Sequence, residues 1–203
     1  MTHEDGPALT ASGGRFRRQS AGAPGWDGEA DAWLAGKARG GDLDAFEVLI
    51  GRHRGRIYRI ALRMLGNYHD AEDVAQEVII QLWTALTSFA GASAFTTWLY
   101  RIVVNRCWNA QRRQLRTSPL DERNVPPAAA GPEDTAVARQ HVHAVFEVMA
   151  ALPVEQRGVL VLYQLEGLSY RETAAVLGIT EAAVRSRLLR ARRMLVNQLK
   201  GWT

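Results

Sequence analysis

Residues 168–193 read LSYRETAAVLGITEAAVRSRLLRARR, and this stretch decides the fold class. Ser169 and Glu172 have the spacing of a capping box, a hydroxyl at the N-cap and a carboxylate three residues on. Ala174 and Ala175 are small enough for a close helix contact, and Leu177 supplies a core side chain. Gly178 can take the positive φ that a tight turn needs. Ile179 then plugs the corner and Thr180 caps a second helix. Small residues, a turn glycine and two caps at these intervals predict a helix-turn-helix. A plain helical hairpin is the alternative.

On the second helix Val184, Leu188, Ala191 and Leu195 form one apolar stripe. At about 100° per residue, Ala182, Ser186, Leu189, Arg190 and Arg193 fall on the opposite side. Arg185 and Arg192 share one shoulder and Arg187 takes the other. Such a face suits a major groove, because Arg bonds guanine bidentately and Leu can touch a thymine methyl. The shoulder arginines suit phosphates. An arginine-rich solvated face would show the same residues.

The 203-residue chain can hold one or two small domains. Strand-like alternation is scarce, and Ala, Leu, Arg and Glu dominate the periodic stretches, so an all-α fold is expected. The one cysteine, Cys107, excludes an internal disulfide framework. No apolar run is long enough to span a bilayer, so no membrane insertion is expected. Arg15, Arg17 and Arg18 lead into Gly, Ala and Pro instead of an apolar segment, so the chain reads as cytoplasmic. The net charge of +4 is unevenly spread. Arginines gather in 101–116 and 185–193, while Asp70, Glu72, Asp73 and Glu77 form an acidic block. Separate basic and acidic surfaces imply more than one kind of macromolecular partner, unless they are merely solvated helix faces.

Composition divides the chain into four parts. Residues 1–28 are rich in Gly, Ala, Pro and Ser and read as a disordered tail. Helical patterns run from 29 to 114, with Gly66-Asn67 as a stop before Asp70 opens the next helix. Residues 115–136 carry Pro119, Pro126, Pro127 and Pro132 and read as a linker. A second helical domain is expected over 137–203, with Pro153 in a first helical turn and Gly167 ending the helix before the opening stretch. Fully extended, about 22 linker residues reach roughly 75 Å, about two turns of duplex at ~34–36 Å each.

Two further faces carry chemistry. On the 70–88 helix Ala71, Ala75, Val78, Leu82 and Leu86 form the core stripe. The opposite face holds Asp73, Gln76, Glu77, Ile80 and Thr84, with Trp83 at its edge. This fits a basic helical partner, although a helix with one exposed Ile is also common. On the next helix Phe95, Leu99 and Ile102 point to the core, and Thr97, Arg101, Val104, Asn105 and Trp108 cluster elsewhere. Exposed Trp beside Arg and Asn fits stacking on unpaired bases. Trp98 and Tyr100 belong either to that surface or to the packing.

Three longer motifs now carry a resemblance. DAEDVAQEVIIQLW (70–83) is similar to sigma conserved region 2.2, and FAGASAFTTWLYRIVVNRCWNAQRRQ (89–114) to regions 2.3 and 2.4. LPVEQRGVLVLYQLEGLSYRETAAVLGITEAAVRSRLLRARRML (152–195) is similar to region 4. The chain resembles a bacterial sigma-70-family factor of the extracytoplasmic-function (group IV) type over residues 40–114 and 137–199. The resemblance implies a region 2 helical bundle and a region 4 helix-turn-helix that direct promoter-specific transcription initiation. Core RNA polymerase would be met through its β′ clamp helices by Asp70, Asp73, Gln76, Glu77, Ile80 and Trp83, and through its β flap by region 4. The −10 single strand would be held by Phe89, Ser93, Phe95, Thr97, Trp98, Arg101, Asn105 and Trp108. The −35 duplex would be read by Arg185, Ser186, Arg187, Leu189, Arg190 and Arg193. An anti-sigma factor is the implied regulator. Ala92 stands where relatives often carry an acidic residue, and Trp108 is a bulky choice at its position.

An enzymatic reading finds no support. His141 and His143 are two apart and cannot share a helix face, and no cluster completes a metal site. No phosphate-binding glycine loop or nucleophile elbow is present. No cofactor, metal or small-molecule substrate is therefore expected. A stand-alone operator-binding regulator would account for 168–193 but leave the acidic face and the 95–108 aromatics unused. A helical scaffold would leave the arginine face unexplained.

Overall fold

The structure, a computed structural model, describes residues 25–117 and 147–200. The tail and linker fall almost wholly outside these residues, as do His141 and His143 and the first part of the helix expected over 137–151. The described residues are helical, with no strand among them.

Four helices build the first domain. They are α1 (Gly25–Arg39), α2 (Leu43–Leu65), α3 (Tyr68–Ala85) and α4 (Phe95–Thr117). A short 3-10 turn, Leu86–Ser88, closes α3. α1 begins before the Glu29 start that apolar spacing suggests, and α4 continues past Gln114, because terminal helical turns need no apolar residue.

The α2–α3 corner corrects one expectation. Gly66 ends α2 at φ 72°, and its N–H donates to Leu62 O. Asn67 does not share in that stop. It N-caps α3, and its side chain accepts from Asp70 N at 3.3 Å. The helix therefore opens at Tyr68, two residues before Asp70, since an Asn side chain satisfies an orphan N–H as well as an acidic one does. At the start of α2, Asp42 does the same for Ala45 N at 2.9 Å.

Asp31 on α1 is buried and faces α2, where His53 Nε2 lies 2.6 Å and Arg52 Nη1 3.1 Å from its carboxylate. This ion-paired contact fastens α1 to the bundle. A buried carboxylate needs such partners.

The second domain follows residues 147–150, which are helical. Pro153 stands just outside α5 (Val154–Leu160) as its N-cap, at φ −53° and ψ 141°, and not within the first turn. α5 widens into a π-helical segment, Val161–Leu165, shown by Glu166 N donating to Val161 O at 2.9 Å. Gly167, at φ 76°, turns the chain into α6 (Tyr170–Leu177) and α7 (Glu181–Lys200).

One continuous apolar core runs through both domains. Leu49, Ile57, Ile60, Val78, Leu82 and Leu99 centre it in the first; Val159, Leu162, Val184 and Leu188 centre it in the second. The two meet where α2 and α4 face α5 and α6. A side-chain methyl placed on Gly158 of α5 would lie 3.7 Å from Met64 Cε and 3.8 Å from the Trp108 ring.

Candidate nucleic-acid interface

The helix-turn-helix forms as its caps dictate. Ser169 Oγ accepts from Glu172 N at 3.2 Å, and the Glu172 carboxylate accepts from Ser169 N at 2.8 Å. Gly178 takes φ 66°, and its N–H donates to Ala174 O. Thr180 Oγ1 accepts from Ala183 N at 3.1 Å. With both helices capped, the face of α7 is set by its buried stripe. Val184, Leu188 and Ala191 are buried and Leu195 is half-buried, so Ser186, Leu189, Arg190 and Arg193 stand exposed together. Leu189 is 52% exposed, a large apolar side chain that nothing in its own domain covers.

Arg190, Arg185 and Arg192 each have a partner within the domain. Arg190 Nη2 donates to Ser186 Oγ at 3.1 Å, one turn back. Arg185 pairs with Glu181 at 3.1 Å and lies 5.3 Å from the Tyr170 ring centroid. Tyr170 itself stacks on Tyr163 at 4.5 Å. On the same side, Arg192 Nη2 donates to Gln164 at 2.8 Å. Arg187 is half-buried. These partners are worth little energy singly but bias where the guanidinium groups of Arg185, Arg190 and Arg192 point.

The acidic face of α3 is smaller than its sequence suggests. Glu77 is ion-paired to Arg106 at 3.3 Å and Arg113 at 3.6 Å, both from α4. Asp70 accepts from Gln114 at 2.6 Å. Trp83 is half-buried, its ring 4.9 Å from Phe46 in an edge-on contact. Asp73, Gln76 and Ile80 remain exposed, Ile80 at 75%. An exposed apolar side chain, one turn beyond an amide and two beyond an acid, is available to a partner on this helix.

The α4 face departs furthest from the simple helical wheel. Thr97 and Val104 are buried, on the helix that meets the second domain through Arg101 and Trp108. Phe89 and Phe95 are also buried, forming an aromatic cluster with half-buried Trp98. Tyr100 is 3% exposed and belongs to the packing, where burial pushes its phenol above the ordinary tyrosine value. Ile102, expected in the core, is half-buried. Ser93 and Asn105 are exposed. Trp108 is half-buried against α5, and its indole Nε1 is buried without a hydrogen-bond partner. Arg101 Nη2 donates 2.6 Å to Ala175 O, one of the last carbonyls of α6.

Arg157 is the residue the sequence reading passed over. It is 6% exposed and donates to Met64 O at 2.6 Å, Ala150 O at 2.5 Å and Leu152 O at 3.1 Å. The available signal was its position, three and four residues before Leu160 and Val161, which places a charge on the apolar side of α5. A buried guanidinium there has to meet carbonyls.

Burial pushes the Cys107 thiol up to about 12, so it is no nucleophile near neutral pH. Among the described residues no three His, Cys, Asp or Glu side chains gather as a metal site, and no helix is long and apolar enough to cross a membrane.

Comparison with known proteins agrees with these two domains. The Sigma-70 region 2 model matches residues 49–117, and the Sigma-70, region 4 model matches 143–195. The ECF RNA polymerase sigma-E factor of Escherichia coli K12 is 34% identical over 181 residues, covering 84% of this chain and 94% of the relative. The Haemophilus influenzae factor of the same name is 32% identical, covering 84% and 95%. Among solved structures, CnrH in complex with the cytosolic domain of CnrY aligns at a TM-score of 0.67 with 31% identity, covering 86% of this chain and 99% of that one. RpoE of Bartonella quintana in complex with the anti-sigma factor NepR aligns at 0.64 with 24% identity, a likeness of fold covering 76% and 96%.

Proposed function

Because this chain belongs to the extracytoplasmic-function branch of the sigma-70 family, it is a promoter-directing subunit and not an enzyme, and we propose how its two domains divide that work. The carrying observation is that two unlike surfaces stand exposed on separate domains. The α7 face presents Ser186, Leu189, Arg190 and Arg193 on a doubly capped frame, while α3 presents Asp73, Gln76 and Ile80.

α7 enters the major groove of the −35 duplex. Arg190 and Ser186 read base edges together, Leu189 packs against a methyl group, and Arg185, Arg187 and Arg193 hold phosphates. α3 docks on the β′ clamp helices of core polymerase with Asp73, Gln76 and Ile80 at the centre. Asp70, Glu77 and Trp83 act mainly by shaping that surface, since each already has a partner within the domain. Ser93, Arg101, Asn105 and Trp108 bind the unwound −10 strand, while Phe89, Phe95, Thr97 and Trp98 build the frame beneath them. Region 4 also rests on the β flap. The protein works in the cytoplasm, and an anti-sigma factor restrains it. Of the similar structures, CnrH was solved with the cytosolic domain of CnrY, and RpoE of Bartonella quintana with the anti-sigma factor NepR.

Promoter-specific transcription from core polymerase tests the whole assignment. Binding to duplex without promoter-specific initiation would leave a stand-alone regulator as the better reading. Two substitutions separate the domains. Asp73→Lys with Gln76→Ala is expected to weaken binding to core polymerase at least tenfold and leave −35 duplex binding by the full chain intact. Equal loss of both activities contradicts the division. Arg190→Ala is expected to remove about 1–3 kcal/mol of discrimination at one −35 position. A promoter-selection profile identical to wild type would exclude Arg190 from the readers.

A further inference from the structure

Five exposed residues, 90–94, join the short 3-10 turn to α4 and carry Ser93. A loop this short presents a side chain in one direction only if both of its ends are fixed. Phe89 fixes the first end. Its buried ring lies edge-on to Phe95 at 5.6 Å and 5.2 Å from Trp98. Its N–H donates to Leu86 O at 3.0 Å. Its carbonyl accepts from Arg39 Nη1 of α1 at 3.2 Å. Phe95 is buried at the second end, where Ala94 O accepts from Trp98 N at 3.2 Å.

α1 reaches both ends. Arg39, in its last turn, meets Phe89 directly. Asp31, two turns earlier, lies 2.6 Å from His53 Nε2, and the His53 ring is 5.4 Å from the Phe95 ring. The rotation of α1 is set by Asp31 together with Leu34, Ala35 and Ala38, all buried against the bundle. A helix locked in this way delivers the Arg39 guanidinium to one place, about 12 Å along the axis from Asp31 at ~1.5 Å per residue.

We propose that α1 is a positioning element for −10 recognition, with Arg39 as the positioning residue that aims the 90–94 loop through the Phe89 carbonyl. The inference rests on the assignment of Ser93 and Asn105 to the −10 strand. Arg39 need not touch DNA. It limits the directions in which the loop leaves Phe89, so that Ser93 meets a base in one geometry. A guanidinium suits the task, because its charge strengthens the bond and its planar fork restricts the angle. Without that bond the loop samples more conformations and accommodates the wrong bases. Discrimination then falls while phosphate contacts made elsewhere on α4 persist, since phosphate contacts position the strand and base contacts specify it.

The test uses holoenzyme assembled from core polymerase and the full chain. A promoter initiated by the wild-type factor is varied to all four bases at each −10 position, and transcripts are counted for each template. Arg39→Ala is expected to lower the preference at the position that Ser93 meets by about fivefold, roughly what one net hydrogen bond contributes. Thermal stability, core binding and −35 duplex binding should stay at wild-type values. Arg39→Lys keeps a cationic donor and should recover part of the preference. An unchanged preference profile in Arg39→Ala overturns the proposal. So does a uniform loss of transcription across all templates, which is the mark of a merely structural residue. Trp33→Ala, on the exposed side of α1, should keep the wild-type profile. A shift matching that of Arg39→Ala would overturn the assignment to Arg39. Failure of the strand assignment itself reads out differently: Ser93→Ala and Asn105→Ala then leave the −10 profile unchanged.

Discussion

Leu188→Ala is expected to destabilise the second domain by about 2–5 kcal/mol. Leu188 lies at the middle of the α7 stripe and is 2% exposed, between Val184 and Ala191, which are fully buried. Truncation removes the transfer energy of the lost carbons and leaves a cavity whose walls are helices already fixed by a capping box and an αL glycine. Little relaxation is available there. The readout is urea denaturation of the full chain followed by helical circular dichroism, with −35 duplex binding as the functional measure. Both should fall together, because the same stripe that fills the core fixes which side of α7 faces outward. A loss below about 1 kcal/mol would mean that the corner can collapse around the gap, and the rigid-reader account would have to be abandoned.

Arg157→Ala is the second large effect. Hydrogen bonds from a charged group contribute about 1.5–3 kcal/mol each. Arg157 makes three to main-chain carbonyls, of which those to Met64 and Leu152 are buried. The bonds share one side chain and will not add, but a combined loss exceeding about 3 kcal/mol is expected because Ala150 O and Leu152 O lose the arginine donor, while Met64 O keeps Gln111 Nε2 at 2.9 Å. Arg157→Lys should recover only part of it, since one ammonium cannot reach from Met64 O to Ala150 O and Leu152 O as a planar fork does. Thermal or urea unfolding measures both variants. Equal stability of the Lys variant and wild type would show that charge alone matters at this position and that the fork geometry does not.

These two residues mark the limits of what spacing reveals. Leu188 was legible because helical period and core burial coincide along α7, and the flanking caps announce themselves by residue type. The same reasoning correctly placed Ala71, Ala75, Val78, Leu82 and Leu86 inside. It faltered at Thr97, Val104 and Trp108. A helical wheel gives the angle between side chains on α4, yet it cannot say that a second domain will cover the side opposite the first domain's core. It faltered also at Asp70 and Glu77. Their negative charge is plain in the sequence, but Arg106 and Arg113, which pair with Glu77, and Gln114, which donates to Asp70, come from the next helix, at a register that only packing sets.

By itself the sequence determined the helical class, the two-domain division, the helix-turn-helix with its caps, and the sidedness of α7. All of these follow from local rules: side-chain periodicity, the φ that glycine permits, and hydroxyls or carboxylates that satisfy the first N–H groups of a helix. Tertiary structure alone decided that Arg101 and Arg157 cap helices in the opposite domain and that Glu166 lies buried between Arg63 and Arg56. The partners in those contacts are between 74 and 110 residues apart in the chain. No local rule links residues so distant, because their pairing depends on how two finished domains dock.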